Sequence, residues 1–144
     1  MGLTATWKKL EQMRLGLYDC TDVNKKNEIY KEYLHSLRKL AYKGHPESQY
    51  DLAQHYEDMG VMGWPNPFEN ISKKFYWYTK AANNNHAAAH NNLADMYERG
   101  EGCIQDIKKA LELYKKSAEL GDWCGKKNYK HMLKQIKNGV YKVE

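Results

Sequence analysis

The chain has 144 residues, 42% of them hydrophobic and 28% charged, with only 10 Gly and 3 Pro. That size suits one domain burying about two thirds of its unfolded surface, and the composition excludes a disordered or fibrous chain. The net charge of +5 is uneven: residues 1–44 carry nine Lys/Arg against five Asp/Glu, residues 45–121 eight against eleven, and residues 122–144 six against two. An acidic middle therefore lies between basic ends.

At the N-terminus, Met1–Leu17 lacks the continuous apolar stretch of a secretory signal. Met1–Thr6 formally fits an acylation pattern at Gly2, although a Gly after Met is also ordinary. No apolar run reaches the roughly 18 residues of a membrane helix. Cys20, Cys103 and Cys124 form no C-x-x-C pair and read as free thiols in a reducing compartment, so a cytoplasmic protein is expected.

Seven helices are expected, over about 4–18, 23–43, 46–59, 70–84, 87–99, 106–120 and 123–137. The second ends through Leu37, Ala41 and Gly44. His45-Pro46-Glu47 opens the third with Pro in the first turn. Its apolar stripe is Ser48, Leu52, Ala53 and Tyr56. After a loop containing Trp64-Pro65-Asn66-Pro67-Phe68 comes the fourth, within which Lys73–Asn85 is the stretch that recurs later. Ala81–Cys103 looks like low-complexity filler, yet Asn85-His86 reads as one helix end followed by the next start. Asn, like Gly44 and Gly121, tolerates the left-handed conformation that closes helices. Ala89, Leu93, Ala94 and Tyr97 repeat the earlier stripe 41 residues on, whereas Tyr78, Lys80, Ala82 and Asn85 recur 36 residues on as Tyr114, Lys116, Ala118 and Gly121. The five-residue difference falls in the loop after the third helix. Asp122 is placed to cap the seventh helix, where Gly125, Tyr129 and Leu133 should take the buried places. Tyr56, Tyr78, Tyr97 and Tyr114 should be core.

These positions resemble the Sel-one-like repeat (SLR) proteins, relatives of the tetratricopeptide repeats. Ala89, Leu93-Ala94, Tyr97, Gly100-Glu101-Gly102, Asp106, Ala110, Leu113-Tyr114, Lys116-Ser117-Ala118 and Gly121 carry the second unit, and Leu52-Ala53, Tyr56, Trp77-Tyr78, Lys80-Ala81-Ala82 and Asn85 the first. Ala in place of Gly after Leu, and Lys74 at a small-residue position, depart from the pattern. The resemblance implies an all-α, right-handed α-solenoid of antiparallel helix pairs. Residues 1–44 would form a capping pair, 45–85 and 86–121 two repeats, and 122–144 a capping helix and tail. Some relatives carry a disulfide in each repeat; Cys103 and Cys124 do not recur at the repeat period.

In such an array the first helix of each unit lines the concave side. The expected partner-binding positions are Glu47, Tyr50, Gln54, Glu57 and Asp58, then Ala88, Asn91, Asp95, Glu98 and Arg99, then Lys127, His131 and Lys134. Trp64 and Phe68 either plug the gap between repeats or anchor a partner. His86 and His90 are four apart, but His90 is expected to point outward and no metal site is expected. "GEGC" lacks the surroundings of a phosphate loop, and no catalytic grouping or cofactor motif is visible. The function expected is a non-enzymatic adaptor or inhibitor that binds another protein. An immunity or regulatory protein dedicated to one toxin or effector is a special case. Nucleic-acid binding through the basic ends, where Lys and Tyr interleave over Gly125–Lys142, is the weaker expectation.

Overall fold

The computed structural model describes residues 2–57 and 68–143. Seven helices follow one another: α1 (Leu3–Asp19), α2 (Val23–Tyr42), α3 (Pro46–His55), α4 (Ile71–Asn83), α5 (Ala87–Arg99), α6 (Ile107–Glu119) and α7 (Trp123–Lys137). No strand occurs among the described residues. Each helix packs chiefly on its chain neighbours, which is the signature of a solenoid. In addition α5 reaches α7, while no two of α2, α4 and α6 meet as closely. This approach puts α5 and α7 on the inner side of the curve, and repeat equivalence puts α3, whose Tyr50 stacks on His86 at the start of α5, beside them.

The joints repeat in atomic detail. At each, a residue with positive φ closes one helix: Gly44 (89°), Asn85 (61°) and Gly121 (94°). The next backbone N–H then reaches back five residues, His45 to Leu40 O at 3.1 Å, His86 to Ala81 O at 3.0 Å and Asp122 to Ser117 O at 3.1 Å. That same residue caps the following helix. His45 Nδ1 accepts from Ser48 N at 3.2 Å, His86 Nδ1 from Ala89 N at 3.2 Å, and Asp122 Oδ2 from Gly125 N at 2.6 Å. An Nδ1 that accepts must carry no proton, so the neutral ring holds its proton on Nε2. In His86 that atom faces Glu47 Oε2 at 3.1 Å.

The loops within the two repeats differ in length but close on equivalent bonds. Asn70 N donates to Tyr56 O at 3.1 Å, and Asp106 N to Tyr97 O at 2.9 Å. The shorter loop relies on Gly102, whose missing Cβ would stand 2.8 Å from Ile71 Cγ2.

Small residues set the helix separations. Ala53, Ala81, Ala89, Ala94 and Ala110 are all 0% exposed. Gly125 takes the place of Ala89 one unit later, because a Cβ there would fall 2.2 Å from Ser117 Oγ. One apolar cluster runs from Leu10 through Leu37, Leu52 and Tyr78 to Leu93. A second joins Ala94, Ala110, Tyr114 and Met132.

Three expectations need correction. His90 is buried, with Nδ1 2.9 Å from His86 O. It repeats Gln49, whose Nε2 donates to Ala41 O at 3.0 Å. Gln49 reaches the end of the preceding helix, whereas His90 turns back onto the cap of its own helix. Tyr97 is half-buried, its ring edge-on to Phe75 at 5.7 Å and touching both clusters. Leu133 is 43% exposed and Met132, at 1%, is buried instead. Among the described residues α7 packs on α5 and α6, so its buried arc turns toward them. Lys130 is exposed where the two earlier units bury Ala53 and Ala94, and its charge keeps that flank wet.

Candidate functional site

The inner face is built on a clasp that occurs once in each repeat. Tyr78 on α4 donates its hydroxyl to Glu57, the residue after Tyr56. Tyr114 on α6 donates to Glu98 Oε2 at 2.8 Å, and Glu98 is the residue after Tyr97. Burial, reinforced by the carboxylate, raises the pKa of both phenols, so they remain donors at neutral pH. In the second repeat Tyr141, from the segment after α7, donates to Glu98 Oε1 at 3.0 Å.

Between the clasps lies a polar recess of about 170 Å³. Glu57, Tyr78 and Asp95 line it, while Asn91, Asn92 and Asn128 supply amides. Asn128 Nδ2 donates to Asn91 Oδ1 at 2.8 Å, and Asn91 Nδ2 to Asn92 Oδ1 at 3.3 Å. The chain of amides thereby links α7 to α5. Lys74, 7% exposed, also lines the recess, but its Nζ lies 2.6 Å from Glu101 Oε1. A buried Lys is tolerated where a carboxylate compensates it.

The face is acidic toward its N-terminal half. Burial, with help from Glu47 and Glu11 and against Arg14 and His86, pushes Asp51 up to about 6. Burial also raises Asp95, opposed first by Arg99, whose Nε is 3.1 Å from Asp95 Oδ1. Tyr50 stacks on His86 with ring centres 4.4 Å apart. Each carboxylate here is costly to bury, and an incoming cation would relieve that cost.

The expected positions divide into groups. Asn91 and Asp95 meet in the recess, and Glu57 borders it while bonded to Tyr78. Tyr50 is half-buried and accepts from Gln54 Nε2 at 3.3 Å. Glu47 and Ala88 border a separate open depression at the joint edge. Glu98 lies beside the recess with both oxygens bonded within the chain, so it is a structural group there rather than an open contact. Lys127, His131 and Lys134 are exposed on α7; Lys127 Nζ lies 5.5 Å from the Trp123 ring, and His131 pairs with Gln135. Phe68 is 52% exposed and its ring stacks on His55 at 5.0 Å. Asp58 and Trp64 lie outside the described residues. Sequence reasoning missed Asn92, Asn128 and Lys74. Advancing the repeat register by one residue links Asp51, Asn92 and Asn128, all half-buried. Lys74 was visible as a charged residue at a small-residue position.

Among the described residues no group of three His, Cys, Asp or Glu is arranged to hold a metal. Cys20, Cys103 and Cys124 are free thiols. No described helix is long and apolar enough to cross a membrane.

The Sel1 repeat model matches residues 46–86 and 87–122, which is more than half of the chain. The chain belongs to the Sel1 repeat family. Among solved structures, a Sel1 repeat protein from Oxalobacter formigenes is 28% identical with a TM-score of 0.60, over 67% of this chain and 37% of that one. The c5321 protein, a protective antigen of uropathogenic Escherichia coli strains with an SLR fold, is 24% identical with a TM-score of 0.56, over 87% of this chain and 27% of that one. This chain thus spans well under half of either protein. The two matched Sel1 repeats meet where His86 ends one and Ala87 opens the next, the tight joint described above. Sel1 repeats are in general protein-interaction units, and the inner face is where this pair offers its polar groups.

Proposed function

We propose that the chain is a non-enzymatic adaptor or inhibitor that holds a segment of a partner protein along the inner face. The observation that carries this reading is the recess lined by α4, α5, α7 and Glu57, two residues beyond α3. Its amides, Asn91, Asn92 and Asn128, suit the donors and acceptors of an extended backbone. Its carboxylates, Asp95 beside Glu57, suit a Lys or Arg side chain of that segment. A single dedicated partner such as a toxin or effector is the special case of this reading. Three free thiols fit a reducing, cytoplasmic setting. No cofactor is needed for this role.

The test is calorimetry with a partner captured from the native host. Asp95→Lys and Asn128→Lys should each weaken binding about tenfold or more, with the far-UV spectrum and melting temperature retained. Unchanged affinity in both variants would refute the placement of the partner on this face.

A further inference from the structure

A second cavity, of about 240 Å³, opens between α2 and α4, the helices that do not form the inner face. Its floor is Leu52, Tyr56 and Trp77, all under 9% exposed. Two exposed rings stand over that floor. Tyr42 and Tyr76 each meet the Trp77 indole edge-on, with centres 5.0 Å apart in both cases. The result is a three-ring box whose outer walls are 76% and 47% exposed.

Two cations complete it. Arg38 precedes Tyr42 by one turn of α2, and Lys73 holds its Nζ 5.4 Å from the centre of the Tyr56 ring. Among the described residues neither forms an ion pair, and no carboxylate lines the cavity. Unpaired positive charge beside an apolar floor attracts an anion more strongly than the same charge in open water.

The repeat supplies an internal control. One unit on, the positions of Arg38, Tyr42, Lys73, Tyr76 and Trp77 hold Thr79, Asn83, Lys109, Glu112 and Leu113. There the rings are gone, one cation is gone and a carboxylate has entered. The box is therefore specific to the first junction and not a by-product of the repeat.

We infer that the cavity between α2 and α4 binds a single aromatic ring bearing a phosphate or carboxylate. The ring would pack between Tyr42 and Tyr76 over Trp77. The anion would lie between Arg38, which can hold it through two N–H groups, and Lys73. The volume is below the roughly 300 Å³ at which drug-sized pockets begin, which suits one ring. Both a free aryl phosphate and a phosphorylated tyrosine on a protein carry this chemistry. The site is independent of the inner-face reading, since the two share no lining residue.

The experiment titrates the full chain with phenyl phosphate, read by calorimetry and by the indole N–H resonances. Saturable binding at one site is expected, with the Trp77 resonance moving and that of Trp123 still. Inorganic phosphate and phenol should each bind at least about tenfold more weakly. Arg38→Gln combined with Lys73→Gln, both on exposed side chains, should weaken phenyl phosphate about tenfold or more and keep the melting temperature. Lys109→Gln at the second junction should change nothing. Tighter binding of a phosphotyrosine peptide than of phenyl phosphate would assign the source to a protein, and equal or weaker binding to a free small molecule. Absence of saturation at millimolar phenyl phosphate, equal binding of inorganic phosphate, or full affinity in the double variant would overturn the site.

Discussion

The first and second repeats share a frame and little else. Both have a histidine capping their first helix, both bury Leu and Ala at the same register, and both clasp a Tyr to the Glu after the stripe. Their outsides diverge. The first carries a longer loop, the aromatic box and Asp51; the second carries a Gly-tightened loop and a clasp doubled by Tyr141. The frame recurs because each hairpin must bury an apolar flank against the next one and needs the same spacing to do so. Solvent-facing positions have no such constraint, so they are where a specific ligand surface can differ between units.

The largest expected effect tests the shared frame. Leu52→Ala and Leu93→Ala remove equivalent side chains that are 1% and 4% exposed, and each should cost about 2–5 kcal/mol by denaturant unfolding. If one were nearly neutral, the two hairpins would not be energetically equivalent units.

A smaller effect sharpens the comparison of the clasps. Tyr78→Phe and Tyr114→Phe each delete a half-buried hydroxyl-to-carboxylate bond, and about 1–2 kcal/mol is expected for each. Glu98 keeps the Tyr141 hydroxyl at 3.0 Å after the second change, so adding Tyr141→Phe to Tyr114→Phe should cost more than Tyr114→Phe alone, which double-mutant unfolding would reveal.

The smallest effect lies in pH. Burial lowers the pKa of His45, His55 and His90 in the folded chain. The unfolded chain then binds more protons, so this contribution is complete above about 6.5 and is lost as pH falls below it. Asp51 acts in the opposite sense. Its folded value of about 6 exceeds the unfolded 3.8, so its burial weighs against folding at neutral pH and is relieved as pH falls through that window. Stability should therefore fall as pH drops below about 6.5, with Asp51 offsetting part of that fall below about 6. Asp51→Asn should raise stability at pH 7.5 and make the acid decline steeper; denaturant midpoints across pH 5–7.5 would check both.

The joints were legible because they depend on few, local residues. Asn85-His86 and Gly121-Asp122 announce a positive φ and a cap regardless of what surrounds them. The recess was only partly legible. Asn91 and Asp95 follow from helical spacing, whereas Asn92 and Asn128 meet because α5 and α7 approach at an angle that no spacing rule states. The engagement of Glu98 by Tyr141, 43 residues away, depends on the path of the chain after α7.

The sequence by itself determined the number of helices, their joints, the repeat register and the family, since periodicity and capping are properties of neighbours along the chain. Tertiary structure alone decided that His90 is buried, that Met132 replaces Leu133 in the core, and that Arg38, Tyr42, Lys73 and Tyr76 gather around Trp77. Those outcomes depend on which flank of a helix finds a partner, and a partner is supplied by chain that lies a whole hairpin away.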